Sequence, residues 1–201
     1  MLNLLHLDPV GLPGLAAMMA GFLIFFVALM VARLRSKRDA AAPVARKAPI
    51  TWLWIAVQGV GIAIVGFGPI LIELDPMSAK ALIEAAIVLF LMLAAVGLFD
   101  ASSRAMGKNW ALVARTRADH TLVQNGPFAW VRHPIYVALF IYMIAMAVAF
   151  GHSWNLIVGV PIYWLGTWMR VSHEERLLHE QFGAAYDDYA ARVKRFVPGL
   201  F

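Results

Sequence analysis

The chain has 201 residues, of which 62% are apolar and 14% charged, with a formal net charge of +5 and a mean hydropathy of +0.73. Soluble domains carry roughly a quarter of their residues as Asp, Glu, Lys and Arg, so this balance excludes an ordinary water-soluble enzyme and indicates one domain built on membrane-length apolar runs. Cysteine is absent, which excludes disulfides, thiolate metal sites and cysteine nucleophiles.

Residues 12–32 are uncharged and about as long as the ~20 residues a spanning helix needs. No Lys or Arg precedes them, as a signal peptide would require, and the basic residues follow. A first transmembrane helix with its N-terminus outside is the reading. Arg33, Arg35, Lys37, Arg38, Arg46 and Lys47 then place the next loop in the cytoplasm. Basic residues that flank apolar runs fit anionic headgroups and topology signals rather than nucleic acid. A second span is expected at 48–72, with Trp52 and Trp54 at its cytoplasmic edge and glycines 59, 61, 66 and 68 permitting close helix approach. The third is expected at 81–99. It carries Glu84 near its outer end, which reads either as a functional intramembrane carboxylate or as one that snorkels to the interface.

Residues 100–119 interleave Arg104, Lys108, Arg115 and Arg117 with apolar side chains, the pattern of a cytoplasmic interfacial segment. Residues 122–133 read as an irregular connector: Asn125-Gly126-Pro127 is turn chemistry, and Pro134 pushes His133 out of helical geometry before opening a helix itself. Such backbone is tolerated at membrane depth only where protein or a water-filled cavity covers it, so it marks a candidate site. The charge-free run 134–169, interrupted at 151–155, predicts a tight hairpin of two short helices. Leu178, Phe182, Ala185, Tyr189 and Val193 continue it as an amphipathic stripe that Gly183 divides into two helices. The expected fold is an all-α integral membrane protein with about five transmembrane helices, a short helical hairpin and a cytoplasmic amphipathic C-terminal helix. Its N-terminus would lie outside and its C-terminus inside, with the active site facing the cytoplasm, and the membrane would be the inner one if the host is bacterial. Residues 1–99 would supply three spans, and 100–201 a catalytic region.

Arg170 and Glu174 stand four apart and share one helix face at the cytoplasmic end of the last span. They read either as a local ion pair or as a two-ligand grip. In the second case the Arg170 guanidinium holds the carboxylate of a lipid-borne substrate bidentately, and Glu174 holds an amine of a soluble cofactor. The histidines lack the i, i+4 spacing of a helical zinc pair, and no metal is expected. Phosphate loops, dinucleotide fingerprints and nucleophile elbows are also missing.

His120-Thr121-Leu122-Val123, Gly126-Pro127-Phe128 and Arg132-His133-Pro134-Ile135-Tyr136, followed by Arg170-x-x-x-Glu174-Glu175 and Phe182-Gly183-x-x-Tyr186-x-x-Tyr189, resemble the signature of the isoprenylcysteine carboxyl methyltransferase family. The likeness covers roughly residues 119–198. It implies an integral membrane methyltransferase that uses S-adenosyl-L-methionine without a dinucleotide-type domain, in a cytoplasmic pocket formed by the connector and the C-terminal helix. Carried over by position, His120, Thr121, Leu122, Val123, Phe128, His133, Pro134, Ile135, Tyr136 and Glu174 would line the cofactor pocket. Arg170 would be the catalytic, substrate-facing residue. Phe128 stands where the family commonly has tyrosine, and Val113 where its eukaryotic members place a glutamine. The implied acceptor is the carboxylate of a lipophilic, isoprenylcysteine-like molecule or a prenylated protein, with membrane lipids and no nucleic acid as partners. A lipid amine or small thiol acceptor, an NADPH-dependent sterol-type reductase that shares the R-H-P-x-Y corner, and a non-enzymatic scaffold are the alternatives.

Overall fold

Away from water, a backbone N–H or C=O must find its partner within its own segment, which selects helices for apolar runs. The computed structural model describes residues 7–38, 46–47, 51–110, 115–116 and 121–199. Among these lie six helices: α1 (Leu12–Arg38), α2 (Thr51–Gly66), α3 (Ala79–Met106), α4 (Pro134–Phe150), α5 (Leu156–Phe182) and α6 (Ala184–Arg192). Two described helices, α1 and α3, are long and apolar enough to cross a membrane, while α2 and α4 are shorter apolar helices. At ~1.5 Å per residue the 16 and 17 residues of α2 and α4 reach only about 25 Å, against a hydrocarbon core of about 30 Å. The hairpin expected at 134–169 is present, joined by Gly151 in the left-handed conformation and a 3₁₀ turn at Ser153–Asn155, but only its first arm is short: α5 runs on unbroken for 27 residues to Phe182, where Gly183 ends it.

Two further expected boundaries are corrected. The second span stops at Gly66 rather than near residue 72. The chain beyond it forms β3 (Ile72–Leu74), paired in parallel with β1 (Val10–Gly11) just before α1. His152 pins the intervening turn, its ring nitrogens 2.8 Å from the Val65 carbonyl oxygen and 3.0 Å from that of Pro69. The third helix runs on to Met106, through the start of the stretch expected to be interfacial, because nothing between Phe99 and Met106 breaks it. Gly107, at φ +50°, does. A second short pair, β2 (Arg46–Lys47) with β4 (Arg115–Thr116), is antiparallel and joins the two basic loops.

Ser78 starts α3: its hydroxyl accepts from the Ala81 N–H and donates to the Asp75 carbonyl oxygen. Glu84, one turn further on, turns inward and is 8% exposed, so it does not snorkel. Its carboxylate accepts from the Gly11 N–H (3.3 Å) at the start of α1, where the helix dipole favours a negative group. The helices pack as α1 on α3, α3 on α4, and α2 on α5. The α2–α5 approach depends on Gly61, since a Cβ there would stand 2.6 Å from the Tyr163 backbone nitrogen. Met18, Met92, Met143 and Met146 fill the core between the helices, as their scatter through the apolar runs predicts.

Candidate functional site

The connector is irregular, as its turn residues predict, and is stapled to the C-terminal segment. Gly126 adopts φ +60° and opens a 3₁₀ turn, Gly126–Ala129, which buries Phe128. Tyr189 of α6 donates its hydroxyl to the Phe128 carbonyl oxygen at 2.7 Å. Beyond the turn the backbone lies along the chain after α6. The Arg132 N–H donates to the Lys194 carbonyl oxygen at 2.8 Å, and the His133 N–H to that of Arg195 at 3.0 Å. Asn109, past the end of α3, holds the other end by donating to both the carbonyl and the hydroxyl oxygen of Thr121.

Glu175 ties these parts together. Its Oε1 receives Arg132 Nε at 3.0 Å and His133 Nε2 at 3.1 Å, and its Oε2 receives Arg195 Nη2 at 2.6 Å. Burial disfavours its charge, but the hydrogen bonds from His133 and Arg195 outweigh burial and hold the carboxyl well below the usual carboxylate range. The Arg195 guanidinium is raised by the same contact and also lies over the Trp168 ring, 4.6 Å from its centroid. Arg132 reaches on to the carbonyl oxygens of Ala190 and Val193. Burial is the main reason that the Tyr189 phenol is pushed up to about 12, so its proton stays in place.

Above this frame is a cavity of about 290 Å³, near the low end of the ~300–1,000 Å³ typical of small-molecule sites. Its polar walls come from the connector, the first turn of α4 and the C-terminal half of α5. Phe25 and Leu29 of α1 and Phe99 of α3 close its apolar side. Thr121, Leu122, Val123, Phe128, His133, Pro134, Ile135, Tyr136, Arg170 and Glu174 all line it. His120 and Val113 lie outside the described residues. Glu174 Oε1 accepts from the Tyr136 hydroxyl at 2.6 Å and from Arg170 Nε at 3.2 Å. Arg170 is 7% exposed and stands 5.1 Å from the centroid of the Tyr136 ring. The pair predicted from its i, i+4 spacing is therefore formed, inside a cavity rather than on a solvated face. Sequence reasoning overlooked Arg132 and Arg195 as the partners of Glu175, and the apolar wall from α1 and α3. A conspicuous Arg132 beside a histidine was a signal for the first. Nothing in the spacing of Phe25 and Phe99 marks them apart from lipid-facing aromatics.

Residues 82–180 match the sequence profile of the isoprenylcysteine carboxyl methyltransferase (ICMT) family. Protein-S-isoprenylcysteine O-methyltransferase of Rattus norvegicus is 34% identical over 136 residues, covering 66% of this chain and 45% of that protein. The Mus musculus protein of the same name is 41% identical over 83 residues, 39% of this chain and 28% of that one. The structure of a eukaryotic intramembrane Ras methyltransferase, ICMT, superposes over 88% of this chain and 52% of its own with a TM-score of 0.50 and 18% identity, a likeness of fold. The chain spans less than half the length of the curated relatives it matches.

Proposed function

We propose, from the match of residues 82–180 to the isoprenylcysteine carboxyl methyltransferase family, that the chain is a member of it and an S-adenosylmethionine-dependent membrane methyltransferase of a lipophilic carboxylate. One observation carries the reading. Arg170 and Glu174 meet in a single cavity with polar connector walls on one side and the apolar side chains of α1 and α3 on the other. Such a site suits one water-soluble ligand and one lipid-borne ligand.

The residues fit the cofactor. Glu174 offers a carboxylate to an ammonium group, and Phe128 and Tyr136 offer ring faces to a cation. Thr121, Leu122, Val123, His133, Pro134 and Ile135 would complete its pocket. When bound, the cofactor supplies a methyl group made electrophilic by its sulfonium. Arg170 would hold the acceptor carboxylate, which is ionised at pH 7 and has no proton to lose. Held by Arg170, one oxygen of that carboxylate would be presented to the methyl group the cofactor supplies. No general base is needed, so positioning is most of the catalytic work. An amine acceptor would need a base. Glu175, held ionised by two guanidiniums and a histidine N–H, is a poor one. Carboxylate over amine is the reading this supports.

In the membrane we place the N-terminus outside and the cavity toward the cytoplasm, with α1 to α5 as five spans and α2 and α4 as short ones. Residues 1–99 would form the supporting spans and 100–201 the catalytic region. The test is transfer of a labelled methyl group to S-farnesyl N-acetylcysteine by the purified protein. A base-labile methyl ester is expected. No ester formed by folded protein that binds the cofactor would overturn the carboxylate acceptor.

A further inference from the structure

Among the contacts that hold Arg170, one comes from a helix outside the catalytic region. Gln58 of α2 is 4% exposed in the middle of an apolar helix, an expensive place for an unsatisfied amide. Its Nε2 donates to Thr167 Oγ1 of α5 at 2.7 Å, with Thr167 itself fully buried. That commitment turns the amide oxygen toward the next turn of α5, where Arg170 Nη1 lies 3.5 Å away. The reach is possible because Gly166 admits the α2 backbone: a Cβ there would stand 2.6 Å from the Gln58 nitrogen. Glu174 meanwhile engages Nε of the same guanidinium.

We propose that Gln58 is a positioning residue that fixes the plane of the Arg170 guanidinium, so that an acceptor carboxylate is received in one orientation. The proposal rests on the methyltransferase reading and extends it to α2. A guanidinium held at Nε by its i, i+4 partner and faced by the Tyr136 ring can still turn in its own plane. A second contact at Nη1 from another helix stops it, and a neutral amide does so without adding negative charge beside the incoming carboxylate. A glutamate in the same place would supply the acceptor oxygen and repel the substrate.

The experiment uses the full-length protein in detergent with three forms: wild type, Gln58→Met and Gln58→Glu. Turnover of S-farnesyl N-acetylcysteine is read beside S-adenosylhomocysteine affinity by calorimetry. Both variants are expected to lose about 10- to 100-fold in kcat/KM for the acceptor, as a misplaced clamp does. Their S-adenosylhomocysteine affinity should stay within about twofold of wild type. Gln58→Glu should raise the acceptor KM above that of Gln58→Met, an ordering that a structural role alone would not produce. Equal loss of both ligands, or a Gln58→Glu variant as active as wild type, overturns the proposal. A thermal double-mutant cycle with Arg170→Met reads the contact independently of activity, and additive effects there would also overturn it. If the wild type binds S-adenosylhomocysteine but turns over no acceptor, the carboxylate reading fails. The cycle then still decides whether Gln58 and Arg170 are coupled.

Discussion

Glu174 and Glu175 are neighbours in sequence with opposite surroundings. Glu174 faces the cavity between Tyr136 and Arg170, whereas Glu175 faces the frame and takes donors from Arg132, His133 and Arg195. Arg170→Ala should lower methyl transfer by about 10²-fold, the cost of a misplaced reacting group, with S-adenosylhomocysteine binding largely kept. Equal loss of both would refute the division of roles, and steady-state rates beside calorimetry read it. The Glu175 carboxyl is depressed on folding, so its contribution to stability is fully present above its unfolded value of 4.5 and fades as pH falls through the lower folded value. Wild type should therefore unfold at a higher temperature than Glu175→Gln at pH 7, and the gap should narrow as pH drops below about 4.5. A gap independent of pH would show that Glu175 acts by packing alone. Spacing and motif together made Arg170 and Glu174 legible in the sequence. The frame around Glu175 was not, because its cations arrive from Arg132 and Arg195, 43 and 20 residues away.

Among the elements, the apolar runs told where helices lie and the turn residues told where they stop, because both are local effects. Gly107, Gly151 and Gly183 each end a helix at positive φ. What local reasoning misjudged was the course of α3 past Phe99 and the early end of α2. Charge density at 100–106 resembles an interface, yet a helix continues until something breaks it, and the end of α2 is set by His152 from a distant turn. Helix approach was legible as a possibility in the glycines, and the structure selects Gly61 as the one against α5. Gly61→Leu should destabilise the protein by at least ~1–3 kcal/mol through overpacking, whereas Gly59→Leu, with nothing within 4 Å of its Cβ, should cost little. Thermal midpoints of the two variants in one detergent decide the point. Equal losses would place the close approach elsewhere.

For the whole molecule, the all-helical build was readable because long apolar runs separated by turn residues recur along the chain. The cavity was not, since its walls join Phe25 and Phe99 to residues 121–189. Orientation has a direct check, because the chain has no cysteine. Met77→Cys, in the exposed turn before α3, should react with an impermeant maleimide from outside intact cells. Asp188→Cys on α6 should react only after the membrane is opened, and the reverse pattern would invert the topology. The most direct measurement of the methyltransferase reading is calorimetric titration of the purified, folded protein with S-adenosylhomocysteine, beside Glu174→Ala. Saturable binding by the wild type is expected, weakened about 10- to 100-fold in the variant, in line with ~1.5–3 kcal/mol for a hydrogen bond to a charged group. A wild type that binds nothing, or a variant that binds as tightly, would contradict it.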